Sequence, residues 1–443
     1  MELDALENLG LKRIWSTDIK KHIGEEVTLK GWIHNFRELG NVSFLVLRDG
    51  KGEVQAVVSG SLAKELASLQ RESVLEIEGK IIAQPKVALG AEMVLNKLKV
   101  LSPITEPPPI EIHRKKINAE LPTILDHAAL TLRAPLRRAA TILASDSLEG
   151  FRKTLRELDF TEIHTPKIVG ASTEGGANVF AIDYFEKKAF LAQSPQFYKQ
   201  TMVGALERVY EVGPVFRAEP HSTQRHLNEY TSLDAEMGFI KDHTTVMKVL
   251  TKTIAGMLEG MTTPRSQRAL KLRGIELPDV PEKIPSIYFS EAQQIITTAT
   301  GEDLTNDPDL APSHEKFLGE WAKKNYGSAF LFVVGYPMAK RPFYTYPNPE
   351  KPEFSNSFDL LFNGLELVTG GQRLHLYEDY LKALSKRGMQ PAPFKGYLEA
   401  FKYGMPPHGG FAIGLERWVA QILGESNIRE TTLFPRDMNR LSP

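Results

Sequence analysis

The 443-residue chain contains no cysteine. That absence excludes disulfide frameworks, thiolate zinc sites and cysteine nucleophiles together. Long apolar runs are missing too; none approaches the roughly 20 residues of a membrane-spanning helix. Charge of one sign is not in excess, since 54 Lys and Arg face 55 Asp and Glu for a formal net charge of -1. No global basic field therefore announces a nucleic acid, and such a partner must be met by local patches. Residues 1–15, MELDALENLGLKRIW, lack a basic-then-apolar leader pattern. A cytoplasmic protein with no membrane partner is the expectation. There is no internal repeat. What is present is 42% apolar residues, enough for sizeable cores, over a length that suggests about three domains of ordinary size.

Residues 1–102 read as a small barrel. Short alternating runs at 27–33, 42–49 and 53–58 precede a helical stretch at 61–69, and further runs follow at 73–82 and 92–100. Five strands with one helix between the third and fourth match an OB-fold, which binds oligonucleotides among other ligands. Residues 103–137 read as a hinge, opened by Pro103 and the stiff triplet Pro107, Pro108 and Pro109. Residues 138–443 read as a mixed body with a helix over 138–158. Antiparallel-looking strands are expected at 160–168, 180–192, 208–217, 230–240, 328–335, 356–368 and 409–415, with a small insertion at about 262–323. The expected class is α+β: an N-terminal OB-fold barrel, then a six- or seven-stranded antiparallel sheet flanked by helices.

Two segments carry chemistry. In 212–240, VGPVFRAEPHSTQRHLNEYTSLDAEMGFI, a polar loop with Arg225 and His226 joins two strand-like runs. Side chains alternate along a strand, so Tyr230, Ser232 and Asp234 share a face. A hairpin would present them with Arg217 and Glu219, and an arginine there offers a fixed fork of donors suited to phosphate. Taken alone, the segment reads more simply as a hairpin whose charged face is merely solvated. In 409–418, GGFAIGLERW, a glycine-rich strand enters an amphipathic helix. The glycines allow close backbone approach to a ligand, and Arg417 stands at the helix start, where anions are favoured.

In this order, with 160–167 (FTEIHTPK) after the 138–158 helix, these segments resemble the three signature motifs of class II aminoacyl-tRNA synthetases. Residues 173–180 (TEGGANVF) and 192–200 (AQSPQFYKQ) look like the substrate loop and amino-acid segment of aspartyl-tRNA synthetases. The chain is similar over essentially its whole length to the archaeal-type (class IIb) form. The resemblance implies ATP-dependent attachment of L-aspartate to tRNA(Asp) through aspartyl-adenylate. It implies catalytic Arg217 and Arg417, and an ATP site of Arg217, Ala218, Glu219, Arg225, His226, Leu227, Tyr230, Glu366, Gly414, Leu415, Glu416 and Arg417, with adenine between Tyr230 and Arg417. Glu366 and Thr369 would bind Mg²⁺ as hard oxygen donors. The aspartate site would comprise Glu174, Gln196, Lys199, Arg217, Asp234, Thr369 and Arg373. Lys199 and Arg373 would hold the side-chain carboxylate, and two cations there suit an acid better than an amide.

The resemblance further implies a homodimer through 138–167 and anticodon reading by Phe44, Gln55 and Glu78. Phe44 is as compatible with barrel core as with base stacking. Strict archaeal-type members resemble one another in a tryptophan and a lysine at positions here held by His34 and Ala88. Losing both should loosen the seat of the third anticodon base, cytosine against uracil, so tRNA(Asn) is expected as a second substrate. Residues 132–135 (LRAP) replace a more basic hinge, which puts tRNA contacts there in doubt. An asparaginyl-tRNA synthetase shares this architecture, and a non-enzymatic tRNA-binding relative is the rival of another class. His221 and His408 read as structural rather than catalytic, because the chemistry requires no general base.

Overall fold

The computed structural model describes residues 13–40, 42–114, 116–170, 179–220 and 223–442. The chain divides into two compact units, 1–134 and 135–443. In the first, strands β1 (Glu26–Leu39), β2 (Val42–Arg48), β3 (Glu53–Val58), β4 (Val74–Ala83) and β5 (Ala91–Ser102) close a barrel in the order β1-β2-β3-β5-β4. The helix Gly60–Ala67 lies between β3 and β4. The two-residue period sends Leu45, Leu47, Val54, Ala56, Leu75 and Ile77 into the interior, while Phe44, Val46, Gln55 and Val57 are only partly covered. Phe44 is therefore not barrel core. The proline-rich stretch ends in two short helices, Leu121–Asp126 and Ala128–Thr131. Arg133 closes on Glu72 (3.1 Å), which also holds buried Arg48 at 2.7 Å.

The second unit is built on an eight-stranded sheet. Its strands in chain order are β6 (Thr161–Glu162), β10 (Arg208–Phe216), β11 (Glu229–Gly238), β12 (Ser286–Tyr288), β13 (Phe330–Val334), β14 (Ser357–Phe362), β15 (Leu365–Gln372) and β16 (His408–Gly414). They lie in the order β12-β13-β14-β15-β16-β11-β10-β6. The run from β13 to β10 is antiparallel, as expected, but the short edge strands β12 and β6 pair in parallel and make the sheet mixed. Two further expectations change. The 180–192 run does not join this sheet; β8 (Ala181–Tyr184) and β9 (Lys187–Leu191) pair with β7 (Ile168–Val169) in a separate three-stranded one. The 356–368 run is a hairpin, turned at Asn363 and Gly364, both at positive φ.

The helix expected at 138–158 spans Pro135–Glu157 and packs with helix His243–Gly260 on one sheet face. Leu143, Phe151 and Leu155 meet Leu250, Ile254, Met257, Phe358 and Trp418 in that core. Helices Gln196–Leu206, Tyr377–Lys386 and Lys395–Lys402 contribute to a separate aromatic cluster around Phe343, Tyr380, Tyr397 and Phe401. Residues 262–323 form helices Pro264–Arg273, Phe289–Thr300 and most of Pro312–Tyr326, with β12 between the first two. Among the described residues no helix is long and apolar enough to cross a membrane.

Candidate nucleotide and amino-acid site

Strand register places the chemistry. Asp234 on β11 lies opposite Ala412 on β16, which lies opposite Thr369 on β15, which lies opposite Asp359 on β14. One lateral row thus carries two carboxylates and a hydroxyl, with a small residue between them. The neighbouring row runs Glu236, Gly410, Gly371. Gly410 leaves the room Glu236 needs, because a Cβ there would fall 2.1 Å from Glu236 Oε2.

A cavity of about 320 Å³ opens beside these rows. It is lined by Arg217, Glu219, Arg225, His226, Leu227, Tyr230, Glu366, Thr369, Gly414, Glu416 and Arg417, with Gln193, Ser194 and Ser232. Of the expected nucleotide residues, Ala218 lines an adjoining apolar cavity and Leu415 is buried in the core. The β10–β11 loop is closed at its base by Arg217 N–H donating to Asn228 O (2.9 Å) and Asn228 Nδ2 donating to Arg217 O (2.7 Å). Asn228 N–H in turn donates to Arg436 O at 2.8 Å, tying the C-terminal segment to the loop. A Cβ on Gly414 would sit 3.7 Å from Arg417 Cβ and 4.0 Å from the Tyr230 ring. The missing side chain therefore leaves open space between the Tyr230 ring and the stem of Arg417, a shape suited to a flat base. Glu416, on the cavity wall, also braces the fold: both its oxygens accept from Thr231 N–H (3.0 and 3.1 Å), locking the helix start to β11. Burial pushes its carboxyl above the usual range against those bonds.

The acidic side of the cavity is built on a bulge. Leu361 pairs with Glu366 but Leu360 with Val368, so Leu367 is the extra residue, and such an insertion re-aims its neighbours. Glu366 accepts from Thr369 Oγ1 at 3.1 Å. Asp359, which the sequence reading did not single out, lies behind them with Arg341 at 3.0 Å. Burial drives the Asp359 carboxyl up to about 6, with Arg341 opposing and the Glu366 charge adding. Among the described residues no three His, Cys, Asp or Glu side chains converge as a metal cage. Two carboxylates and a hydroxyl instead offer the few hard oxygen donors that suit an ion completing its shell with phosphate and water.

The amino-acid residues converge one layer deeper. Lys199, 1% exposed, places Nζ 2.9 Å from Asp234 Oδ1 and 3.3 Å from Glu236 Oε2, and donates to Phe411 O at 3.2 Å. Arg373 Nε donates to Glu236 Oε1 (3.0 Å) and its terminal nitrogen to Gly410 O (3.1 Å). Ser232 Oγ donates to Asp234 Oδ2 at 2.5 Å, linking the cluster to the cavity wall. Burial works against ionisation of Glu236, yet Arg373 and Lys199 outweigh it and hold the carboxyl below its usual range. Glu236 was missed, although it follows Tyr230, Ser232 and Asp234 on the same face. The expected two cations thus come with two carboxylates. Gln196 does not reach the cavity; its amide donates to Gln200 Oε1 (2.9 Å). Glu174 lies outside the described residues, as does His221. His408 is buried: Nδ1 donates to Pro406 O and Nε2 accepts from Gln200, both at 2.9 Å.

On the barrel, Gln55 and Phe44 share the outer face of β3 and β2. Glu78 is not with them. It pairs across β4–β5 with Lys97, at 3.2 Å. The carboxylate beside Gln55 is Glu92, whose Oε2 accepts from Gln55 Nε2 at 2.7 Å and whose Oε1 accepts from Gln84 Nε2 at 3.3 Å. Glu92 stands at the start of the last strand, where only the parallel β3–β5 pairing brings it to Gln55. His34, 8% exposed at a bulge in β1, has Nε2 3.4 Å from Glu53 Oε1. Ala88 is exposed in the turn that Gln84 begins.

Comparison with known proteins agrees with this geometry. Residues 120–438 match the family of class II tRNA synthetases (D, K and N), and residues 27–101 match the OB-fold nucleic acid binding domain. The chain is 47% identical to an aspartate–tRNA(Asp/Asn) ligase of Thermus thermophilus over 97% of its own length and all of the relative's. It is 45% identical to the ligase of that name from Deinococcus radiodurans, over 98% of this chain and 99% of the other. A crystal structure of asparaginyl-tRNA synthetase from Pyrococcus horikoshii complexed with asparaginyl-adenylate superposes with TM-score 0.90 at 30% identity, covering 98% of this chain and 100% of that one. The chain belongs to the class II tRNA synthetase family of the aspartate, lysine and asparagine branch.

Proposed function

We propose that this protein is an ATP-dependent aspartate–tRNA ligase acting on both tRNA(Asp) and tRNA(Asn). The observation that carries the amino-acid choice is the burial of Lys199 and Arg373 against the two oxygens of Glu236. Both cations are donors only. An aspartate side chain has two acceptor oxygens for them, whereas an amide would turn its NH₂ group toward one. That mismatch costs a few kcal/mol at a buried site, on the order of an unmade charged hydrogen bond. Asp234, which Lys199 and Ser232 hold by its two oxygens, would share its charge with the substrate ammonium. One feature favours asparagine as a second reading: Asp234 and Glu236 already neutralise both cations.

ATP enters the cavity with adenine in the Gly414 slot and its phosphates toward Arg217 and Arg225. A substrate carboxylate oxygen attacks the α-phosphorus in line and pyrophosphate leaves. The protein's part is positioning and charge stabilisation, for which Arg217 and Arg417 are the catalytic cations. Glu366, Thr369 and Asp359 would hold Mg²⁺, which would neutralise phosphate charge when bound. The 3′-terminal hydroxyl of tRNA then attacks the adenylate carbonyl and releases AMP. This setting is cytoplasmic, and the homodimer interface would run along 138–167.

Phe44 stacks an anticodon base while Gln55 and Glu92 bond base edges, with Glu92 taking the place expected for Glu78. His34 lies 3.4 Å from Glu53, two residues before Gln55, and Ala88 stands in the turn begun by Gln84, which bonds Glu92. A histidine tucked against a carboxylate and a methyl on an exposed turn leave the third base loosely held. Charging tRNA(Asp) and tRNA(Asn) transcripts with aspartate side by side tests this. The expected kcat/KM values agree within about tenfold, and a preference above about a hundredfold for tRNA(Asp), near 2.7 kcal/mol, would overturn relaxed specificity.

A further inference from the structure

Helix Pro312–Tyr326 brings a carboxylate up behind two residues that line the nucleotide cavity, Arg225 and Glu366. Glu315, on its first turn, is buried. Its Oε2 accepts from Glu366 N–H at 3.0 Å and from Arg225 at 3.4 Å. The carbonyl of the same residue, Glu366, accepts from Arg417 at 2.8 Å. Glu366 is thus held by Glu315 at its N–H and by Arg417 at its C=O, while Glu315 also reaches the loop that carries Arg225.

The helix is seated close against the hairpin that carries Glu366. Gly319, one turn beyond Glu315, lies directly on the β14–β15 turn. A Cβ at Gly319 would fall 2.4 Å from Gly364 Cα, and a Cβ at Gly364, itself at φ +75°, would fall 2.8 Å from Lys316 Cα. Backbone therefore meets backbone, with no side chain to give. Burial strips this carboxylate of water, at a cost that Arg225 and the Glu366 N–H must offset. Fixing an arginine that must meet phosphate would repay such a cost.

We infer that Glu315 is a positioning residue for the triphosphate end of ATP. It engages one edge of the Arg225 guanidinium and leaves the remaining donors of the fork for phosphate. Through the Glu366 N–H it also sets the angle of the carboxylate at the bulge. The inference rests on the ATP reading of the cavity.

Glu315→Gln keeps an acceptor for Glu366 N–H but removes the charge facing Arg225; Glu315→Ala removes both. Pyrophosphate exchange gives KM and kcat for each substrate, and equilibrium dialysis measures ATP binding by the parent protein. Glu315→Gln should raise the ATP KM about three- to tenfold, leaving kcat and the aspartate KM within about twofold. Glu315→Ala should raise it further. In an Arg225→Ala background Glu315→Gln should add nothing, since the two act through one contact. An unchanged or lowered ATP KM would overturn the inference, as would equal rises for both substrates or an additive double variant. Should Glu315→Ala not fold, Glu315→Gln and its double variant decide alone. A parent protein that fails to bind ATP would overturn the reading of the cavity and this inference with it. A parent that binds ATP alongside an indifferent Glu315→Gln would overturn this inference only.

Discussion

At the scale of single residues, partners separate side chains that their positions in the chain leave equivalent. Glu78 and Glu92 are both acids on barrel strands, but only Glu92 meets Gln55; Glu78 is paired with Lys97 in solvent. Glu92→Gln should raise the tRNA KM about tenfold while leaving the ATP KM unchanged, and Glu78→Gln should alter neither. A lost base-edge bond costs on the order of 1–1.5 kcal/mol, whereas an exposed ion pair contributes little. Aminoacylation kinetics with the two variants checks the assignment, and equal effects would refute it. In the amino-acid seat, Glu236 separates Lys199 from Arg373 and has to be displaced or shared when a carboxylate substrate binds. The seat is therefore a neutral cluster of four charges.

Among the elements, helix Pro312–Tyr326 has the least room for change. Gly319→Ala would put a methyl against the Gly364 backbone. The expected destabilisation is about 1–3 kcal/mol, the usual penalty of overpacking, with the ATP KM rising more than the aspartate KM. Chemical denaturation and exchange kinetics measure both; a variant of parental stability would show that the helix can shift. The barrel and the hairpin β10–β11 were legible in the sequence because a two-residue period is strong in half-buried strands. Asp234 came from that period and Lys199 and Arg373 from resemblance; Lys199 meets Asp234, and Glu236 bridges Lys199 to Arg373. Other features left weaker marks. The edge strands β6 and β12 span two and three residues, too few for any period. Asp359 is one acid in an apolar strand, and its relation to Thr369 exists only through cross-strand register. Glu315 lies on a helix read as part of an insertion, and its closeness to Glu366 is a tertiary fact with no local signature.

For the whole molecule, the buried polar network under the amino-acid seat links stability to pH. Burial depresses His408 to about 4, and its ring is neutral, donating to Pro406 and accepting from Gln200. In the unfolded chain a histidine titrates near 6.5. As pH falls below about 6.5 the unfolded state takes up a proton that the folded state refuses. This group's contribution is therefore full above that pH and is lost down to about pH 4, at roughly 1.4 kcal/mol per unit. His408→Gln should flatten that part of the stability profile. Denaturation midpoints between pH 7 and 4.5 test it, and parallel profiles for the two proteins would count against it. In the proposed reaction the network, the seat and the nucleotide cavity act together, and its first step, adenylate formation, consumes only ATP and the amino acid. ATP–pyrophosphate exchange driven by aspartate and by asparagine in turn is the most direct measurement. Aspartate should support exchange at a kcat/KM at least about a hundredfold above asparagine, the factor that 2.7 kcal/mol of discrimination gives. Exchange driven by asparagine, or by neither amino acid, would contradict an aspartate–tRNA ligase.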